Sequence, residues 1–316
     1  MADILTITLN PTVDLSTQVP EIIAGPKLRC ETPVADPGGG GINVARAIKF
    51  LGGQSTAFIA TGGETGARLL RLLAAEHVRF TAFSVTGDTR QSIAVTDGST
   101  GEQYRFVMPG PVWNAAMVGD ALHAIEAAVS EDGLVVLSGS QPPGVPLDFP
   151  ARLHRALARK NCRLFVDTSG APLHALTKSA VGPFVLRMDD VEAEDLADRP
   201  LLKRADTADF ASDLVARGVA QNVIIARGSD GSTLVNKDGR WHCSRAVDPA
   251  RVVSAVGAGD SFVGAFCMAV ARGESLVHAL SMGTAAASAA VTTAGTQLCN
   301  AEDVMAMLPD CDLSEI

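Results

Sequence analysis

The segment Val256-Gly257-Ala258-Gly259-Asp260-Ser261 runs directly into an apolar stretch, residues 262–271, that is long enough for a helix. Two glycines and a carboxylate therefore lie at a predicted helix start. The first N–H groups of a helix have no intrahelical partner and carry partial positive charge, and glycine lets a ligand approach them closely. We predict that the backbone of Gly257, Ala258 and Gly259 binds an anion.

Asp260 adds a second feature to this segment. If the anion is a phosphoryl group in transfer, the carboxylate can accept the proton of the attacking hydroxyl while the amides stabilise the phosphoryl oxygens. Asp is also favoured at helix starts, where it caps free N–H groups. The segment alone leaves general-base catalysis and helix capping equally open.

Outward from this segment, short β-rich runs alternate with amphipathic stretches of helical length. The alternation is typical of crossover units, which build a mostly parallel sheet with helices on both faces. Strands are predicted at residues 4–9, 56–60, 134–137, 164–166, 184–186 and 223–226. Helices are predicted at residues 41–51, 66–76, 114–130, 148–160, 206–217, 259–272, 275–292 and 301–308. We therefore predict an α/β fold, built as one large domain or as two smaller ones.

One region breaks the alternation. Residues 92–96 and 103–107 have alternating side chains and flank Asp97-Gly98-Ser99-Thr100-Gly101, which predicts an antiparallel hairpin. Residues 15–34 show no helical period, so this segment is expected to pair with the hairpin. We predict a small β-sheet lid formed by inserted segments at about 15–34 and 90–108, which serves as a flap over a cleft or as a dimer interface.

The composition excludes several classes of protein. A formal net charge of −9 argues against a surface devoted to nucleic acid or anionic membranes. The apolar run 262–271 is too short to span a bilayer, and residues 1–5 lack the basic start of a signal peptide. The six cysteines include no C-x-x-C pair, so neither a zinc site nor a disulfide framework is indicated. We expect a cytoplasmic protein without nucleic-acid or membrane partners.

A second glycine-rich segment, Pro37-Gly38-Gly39-Gly40-Gly41, precedes a predicted helix that carries Asn43 in its first turn. Four consecutive glycines lose backbone entropy on folding, which indicates that the chain must pass very close to something. Asn43 offers a donor and an acceptor for hydroxyl groups. Asp14, shortly after the first predicted strand, provides the carboxylate that polyol recognition usually requires, although an ordinary turn residue would look the same.

Four segments together resemble the ribokinase-like PfkB family of sugar kinases, over nearly the whole chain. They are Thr8-Leu9-Asn10-Pro11-Thr12-Val13-Asp14, residues 38–47, Ser138-Gly139-Ser140-Gln141-Pro142-Pro143-Gly144 and Gly257-Ala258-Gly259-Asp260, in the order and approximate spacing of the family. The resemblance implies a single ribokinase-like domain, residues 1–316, with a β lid, and ATP-dependent phosphorylation of a sugar or related alcohol. It also implies that Asp260 is the catalytic base and that residues 257–259 form the anion hole.

Three further segments resemble the branch of this family that phosphorylates sugar phosphates: Lys27-Leu28-Arg29-Cys30, Thr89-Arg90-Gln91 and residues 101–110. The resemblance implies conversion of fructose 6-phosphate to fructose 1,6-bisphosphate, with tagatose-6-phosphate kinase and 1-phosphofructokinase as alternatives. By resemblance the sugar contacts are Asp14, Gly39, Asn43 and Ser138. The phosphate contacts are Arg90, Arg105 and Lys27, because a dianion needs fixed cations, although the strand of Arg105 can also point it into solvent.

The same resemblance implies a nucleotide site in the C-terminal half of the chain. ATP is expected at Arg187, Asp189, Ala226, Gly228, Gly231, Gly257 and Gly259. Mg²⁺ is expected at Asp189 and Glu192, and a monovalent cation such as K⁺ at Ser254, Val256, Val291 and Gly295. A homodimer that associates through the lid is expected as well.

The nucleotide side departs from the family pattern at three positions. Asp189 replaces an amide, and Ala226 and Ala255 stand where hydroxyl residues are common. Each lost hydroxyl removes a hydrogen bond to phosphate that contributes on the order of 1 kcal/mol to binding. The added carboxylate either binds the metal more directly or repels phosphate. A non-catalytic sugar-phosphate-binding protein is therefore the alternative to an active kinase.

Overall fold

Two β-sheets are formed by the part of the chain that the computed structural model describes, residues 2–293 and 297–316. In chain order the strands are β1 (Ile4–Thr8), β2 (Thr12–Val19), β3 (Val34–Gly38), β4 (Thr56–Thr61), β5 (Phe80–Ser84), β6 (Arg90–Asp97), β7 (Gln103–Val107), β8 (Leu134–Ser138), β9 (Arg163–Asp167), β10 (Val185–Asp189), β11 (Asn222–Ala226), β12 (Ser232–Asn236), β13 (Gly239–Ser244) and β14 (Asp312–Glu315). The helices are α1 (Gly40–Phe50), α2 (Gly63–Ala75), α3 (Ala115–Ala128), α4 (Phe149–Leu157), α5 (Gly170–Thr177), α6 (Asp190–Ala197), α7 (Arg204–Ala216), α8 (Ala258–Ala271), α9 (Leu276–Ala290) and α10 (Ala301–Met307).

Ten strands of the described ranges form the large sheet, in the order β14-β13-β12-β11-β10-β9-β8-β1-β4-β5. Neighbouring strands from β11 to β5 pair in parallel, whereas β11 to β14 pair antiparallel. The predicted mostly parallel sheet is confirmed. β5 and β12–β14, which extend the two ends of the sheet, are not among the predicted strands.

Helices cover both faces of the large sheet, because successive side chains of its parallel strands point to opposite faces and both sets are apolar. In β8, Val135 and Leu137 are buried with the apolar side chains of α3, α4 and α7. Leu134 and Val136 of the same strand are buried with those of α8 and α9. Across residues 2–293 and 297–316, every helix is too short or too polar to cross a membrane.

The small sheet has the strand order β3-β2-β6-β7. The predicted hairpin is present as β6 and β7, and β2 lies parallel to β6. Residues 20–33, which connect β2 to β3, contain no strand. The predicted second, small β-sheet is therefore confirmed, built from four strands.

The register of the small sheet separates its polar and apolar side chains. Asp14 pairs with Ser92, and Ala94 pairs with Arg105, so Asp14, Arg90 and Arg105 lie on one face. On the opposite face, Leu15 and Ala35 pack against the apolar cluster of α1 and α2. This packing fixes the polar face relative to the large sheet.

Candidate active site

Polar side chains end three neighbouring parallel strands. Ser138 is the last residue of β8, Asp167 of β9 and Asp189 of β10. Because the carboxyl ends of parallel strands meet at one edge, and ligands of open α/β sheets bind there, this edge is the candidate site. α8 begins beside it, since a Cβ on Gly259 would lie 3.1 Å from the Arg187 guanidinium in β10.

The start of α8 depends on Gly257, whose φ of +80° lies in the left-handed region. A Cβ at this position would lie 2.5 Å from Cδ2 of the buried Leu298. Only glycine meets both conditions without a shift of the loop or of Leu298. The N–H of Ser261 donates to the Gly257 carbonyl at 2.9 Å and closes the first turn.

One of the three amides predicted to bind an anion is used within the loop. The Ala258 N–H donates to the Ala255 carbonyl at 3.3 Å. The amides of Gly257 and Gly259 have no acceptor among the residues that the structure describes. Two N–H groups are thus available to an anion at this helix start.

The Asp260 carboxylate lies in the first turn of α8 and accepts a hydrogen bond from Asn43 Nδ2 at 2.9 Å. Burial raises the pKa of Asp260 to about 6, and the charge of Asp167 adds to this increase. The Asn43 hydrogen bond and the cations Arg187 and Arg46 act in the opposite direction. A carboxylate with this pKa is ionised at neutral pH and basic enough to assist removal of a proton from a hydroxyl.

Asp167 is a site residue that the sequence analysis did not identify. Its carboxylate accepts hydrogen bonds from Ser138 Oγ at 3.1 Å and from Arg187 Nη1 at 2.9 Å. It therefore joins a residue predicted for the sugar to one predicted for ATP, and its charge acts on Asp260. The sequence feature that could have identified Asp167 is its place directly after the predicted strand at residues 164–166.

The glycine run 38–41 passes closely between two polar side chains. A Cβ on Gly38 would lie 2.0 Å from Asp14 Oδ2, and a Cβ on Gly40 would lie 2.3 Å from Ser138 Oγ. Gly39, between them, has a φ of +117°. The close approach inferred from four glycines is thus an approach of the backbone to the predicted sugar contacts Asp14 and Ser138.

Asp14 is partly buried on the polar face of the small sheet. Burial raises the pKa of its carboxyl, while a hydrogen bond with Thr12 and the charges of Arg90 and Arg105 lower it. Arg90 Nε donates to the carbonyl of Asn10 at 3.2 Å, which holds the guanidinium next to β1. Two cations and one carboxylate therefore lie close enough to interact, as the phosphate and sugar predictions require.

Two predicted sugar-side residues have other surroundings. Lys27 is exposed in the connection between β2 and β3, and no ion pair within the described ranges includes it. Asn43, predicted to bind sugar, donates to Asp260 instead and leaves only part of its amide for a ligand.

A cavity of about 460 Å³ opens beside the start of α8, and none of its lining residues belongs to the small sheet. Its wall includes most of the residues predicted to bind ATP: Arg187, Asp189, Ala226, Gly228, Gly231 and Gly259. Apolar side chains, among them Val247, Val252 and Phe262, form another part of the wall. A cavity with an apolar part and a charged end fits a nucleotide base and its phosphates.

Asp189 and Glu192, the residues predicted to bind Mg²⁺, form a capping box at the start of α6. The Glu192 N–H donates to Asp189 Oδ1 at 2.8 Å, and the Asp189 N–H donates to Glu192 Oε2 at 2.9 Å. Each carboxylate keeps its second oxygen, and the described residues contain no cluster of three or more metal-ligating side chains. This donor set fits Mg²⁺, which proteins usually hold by one or two carboxylates together with substrate phosphates.

The residues predicted for a monovalent cation are only partly described. The Val291 carbonyl accepts hydrogen bonds from the N–H groups of Val253 and Ser254, and Ser254 Oγ accepts one from the Val256 N–H. Three of the predicted residues are therefore close together. Gly295, the fourth, lies outside the described residues, and the cation site stays a prediction.

Comparison with known proteins assigns the chain to a family. A family model described as pfkB family carbohydrate kinase matches residues 3–303. The chain belongs to this family. The predicted family is confirmed, and with it the class of phosphotransferases that use an alcohol group as acceptor.

One curated relative and two crystal structures of one enzyme are similar to the chain over nearly their whole length. The ATP-dependent 6-phosphofructokinase isozyme 2 of Escherichia coli (strain K12) is 40% identical over 308 residues, which cover 96% of this chain and 97% of the relative. The crystal structure of phosphofructokinase-2 from Escherichia coli in complex with potassium has a TM-score of 0.91 at 37% identity and covers 98% of this chain and 99% of that one. The same enzyme in complex with fructose-6-phosphate has a TM-score of 0.89 at 36% identity, with the same coverage.

Proposed function

We propose that this pfkB kinase transfers the γ-phosphoryl group of ATP to fructose 6-phosphate and forms fructose 1,6-bisphosphate. The observation that carries the proposal is the place of Asp260. Its carboxylate accepts a hydrogen bond from Asn43, which follows the glycine run that passes close to Asp14 and Ser138. Gly259, the residue before Asp260, lines the 460 Å³ cavity. This position supports a role for Asp260 as the base between a sugar on one side and a nucleotide on the other.

In the proposed step, the protein groups that act are the Asp260 carboxylate and the backbone amides of Gly257 and Gly259. The 1-hydroxyl of the sugar gives its proton to Asp260, and its oxygen forms a bond to the γ-phosphorus. The bond from the γ-phosphorus to the β–γ bridging oxygen breaks, and ADP leaves. The amides of Gly257 and Gly259 stabilise the charge on the transferred group.

On the sugar side, the polar face of the small sheet provides the binding groups. Asp14 accepts hydrogen bonds from sugar hydroxyls, and Arg90 and Arg105 pair with the 6-phosphate. Lys27 is a candidate third cation. Because the small sheet is attached through α1 and α2, we propose that it acts as a lid on a single domain.

On the nucleotide side, Asp189 and Glu192 would hold Mg²⁺, which neutralises charge on the β- and γ-phosphates when it is bound. Arg187 lies against Gly259 at the same end of the cavity. Ala226 leaves this wall without a hydroxyl, as does Ala255. We therefore propose an active kinase that binds ATP more weakly than relatives with hydroxyl residues at these two positions do. K⁺ is a candidate second cation.

The apolar face of the small sheet supports a homodimer. Ile93 pairs with Phe106 and Val95 with Tyr104 on the face opposite Asp14. Phe106 is 56% exposed and Tyr104 41%. We propose that the exposed β6–β7 part of this face packs against the same part of a second copy, as in a two-fold symmetric interface. Leu15 and Ala35, on the β2–β3 part of the face, keep their contact with α1 and α2.

An assay of ADP release tests the substrate. Wild-type protein with MgATP is given fructose 6-phosphate, tagatose 6-phosphate, fructose 1-phosphate or plain fructose. We expect the highest kcat/KM with fructose 6-phosphate and little turnover of fructose, which lacks the group that Arg90 would bind. Preference for either of the other two phosphates would assign the alternative substrate, and sugar-phosphate binding without turnover would indicate a non-catalytic protein.

A further inference from the structure

Arg46 is a buried cation one helical turn after Asn43 in α1. Its residue is only 4% exposed. Nε donates to Glu76 Oε2 at 2.7 Å and Nη2 donates to Glu76 Oε1 at 2.8 Å. Because both contacts come from one planar group, the pair is bidentate and fixes the plane of the guanidinium.

The remaining nitrogen of Arg46 points toward the site. Nη1 donates to Asn43 Oδ1 at 3.3 Å and lies 3.5 Å from the carbonyl oxygen of Pro37. With Oδ1 turned to Arg46, the other end of the same amide, Nδ2, donates to Asp260 Oδ2 at 2.9 Å. A reversed amide would place Oδ1 against the carboxylate and the NH₂ group against the guanidinium, so both contacts would be repulsive.

We propose that Arg46, anchored by Glu76, is a positioning residue that fixes the orientation of the Asn43 amide and thereby holds Asp260 in its ionised, proton-accepting form. The inference rests on the proposed function, in which Asp260 is the base. The hydrogen bonds of Arg46 are to Glu76, Asn43 and Pro37, so Arg46 acts on Asp260 through Asn43 and through its charge.

The charges around Asp260 give the direction of the expected effect. Asp167 from β9 raises its pKa, whereas Arg187 from β10, the Asn43 hydrogen bond and Arg46 from α1 lower it. Loss of Arg46 removes one cation and frees the Asn43 amide to rotate. Both changes raise the pKa of Asp260, so the active, ionised form is lost at a higher pH.

Two substitutions separate charge from orientation. Arg46→Met removes both, and Arg46→Lys keeps the charge but lacks the fork that reaches Glu76 and Asn43 together. Lys49→Met is the control, because Lys49 lies on the same helix and donates to the backbone carbonyl of Glu76 without contacting Asn43. Circular dichroism and thermal melting identify the variants that fold.

The measurement is the pH dependence of kcat/KM for fructose 6-phosphate, from about pH 5 to about pH 9. In the wild type we expect activity to fall as pH drops through about 6, because Asp260 becomes protonated. Arg46→Met should move this acid limb up by about one unit and lower kcat/KM at pH 6 by about fivefold, with a smaller loss at alkaline pH. Arg46→Lys should show a smaller upward shift of the acid limb than Arg46→Met, and Lys49→Met should have the wild-type acid limb.

A folded Arg46→Met variant whose kcat/KM falls equally at every pH, with an unchanged acid limb, would overturn the proposal. An Arg46→Lys variant with the wild-type kcat/KM at every pH would overturn it as well. If Arg46→Met does not fold, the Lys variant decides alone. Carbon-13 NMR titration of the Asp260 carboxyl gives the same comparison without turnover. A wild type that phosphorylates none of the sugars would reject the proposed function, while an Asp260 pKa that rises in the Arg46 variants would still support the positioning role.

Discussion

Gly257 meets two requirements that other residues cannot meet together. Its φ of +80° is unfavourable for residues with a Cβ, and Leu298 occupies the place that a Cβ would need. Its amide is also one of the two N–H groups free to bind an anion. The residue therefore links the backbone geometry of the α8 start directly to the proposed chemistry.

Gly257→Ala should lower kcat by on the order of 10–100-fold, because the Cβ pushes the loop away from Leu298 and displaces one donor of the anion hole. It should also destabilise the fold by about 1–2 kcal/mol. Gly273→Ala is a matched control, since Gly273 has a φ of +83° but open space around its Cβ position. Urea unfolding and steady-state kinetics should show a stability loss in both variants and a catalytic loss only at 257; equal kcat values would contradict the anion-hole assignment.

At the scale of elements, the small sheet acts through its register. The pairing of β2 with β6 and of β6 with β7 brings Asp14, Arg90 and Arg105 to one face from three strands. A shift of one residue would turn these side chains toward α2 and expose apolar ones to the site. The contact of Leu15 and Ala35 with the α1–α2 cluster opposes such a shift.

Arg90→Gln should raise the KM for fructose 6-phosphate by about 10–100-fold, the effect of losing one charge-assisted hydrogen bond to a phosphate. The KM for ATP should change by less than about twofold, because no residue of the small sheet lines the cavity proposed for the nucleotide. Arg152→Gln is the control, because it removes an exposed ion pair between Arg152 of α4 and Asp148, which directly precedes that helix. Steady-state kinetics with each substrate varied would oppose the assignment if both KM values rose equally.

The sequence predicts those elements whose own residues repeat a pattern. β8 is predictable because residues 134–137 form a continuous apolar run, as buried parallel strands require. β12 and β13 were missed although Asp238-Gly239 lies at their turn, because Thr233 and His242 are polar and yet fully buried. Their side chains hydrogen-bond to each other at 2.9 Å, a pairing that no single strand reveals.

The candidate site shows the same division. Gly257, Gly259 and Asp260 are adjacent in sequence, so a local pattern was enough to propose them. Asp167 acquires its place only when β8, β9 and β10 align and bring Ser138 and Arg187 to its two oxygens. The contact of Asn43 with Asp260 spans 217 positions, and local reasoning assigned Asn43 to the sugar alone.

For the whole molecule, the proposed dimer places the apolar face of each small sheet in an interface. Phe106→Asp should shift the protein toward monomers, because a carboxylate would be buried there without a partner. Met305→Asp, at an exposed position of α10, is the control and should leave the assembly unchanged. Sedimentation velocity over a range of concentrations measures both; a wild-type dimer that persists in Phe106→Asp would place the interface elsewhere.

In the proposed mechanism, Asp260 takes the proton of the acceptor hydroxyl while amides at the α8 start hold the transferred group. The most direct test is the single-turnover rate of Asp260→Asn at saturating ATP and fructose 6-phosphate, compared with the wild type. We predict a rate lower by roughly 10²–10⁴, with the affinity for each substrate changed by less than about threefold. A rate within about tenfold of the wild type, at unchanged affinities, would contradict the central role of Asp260.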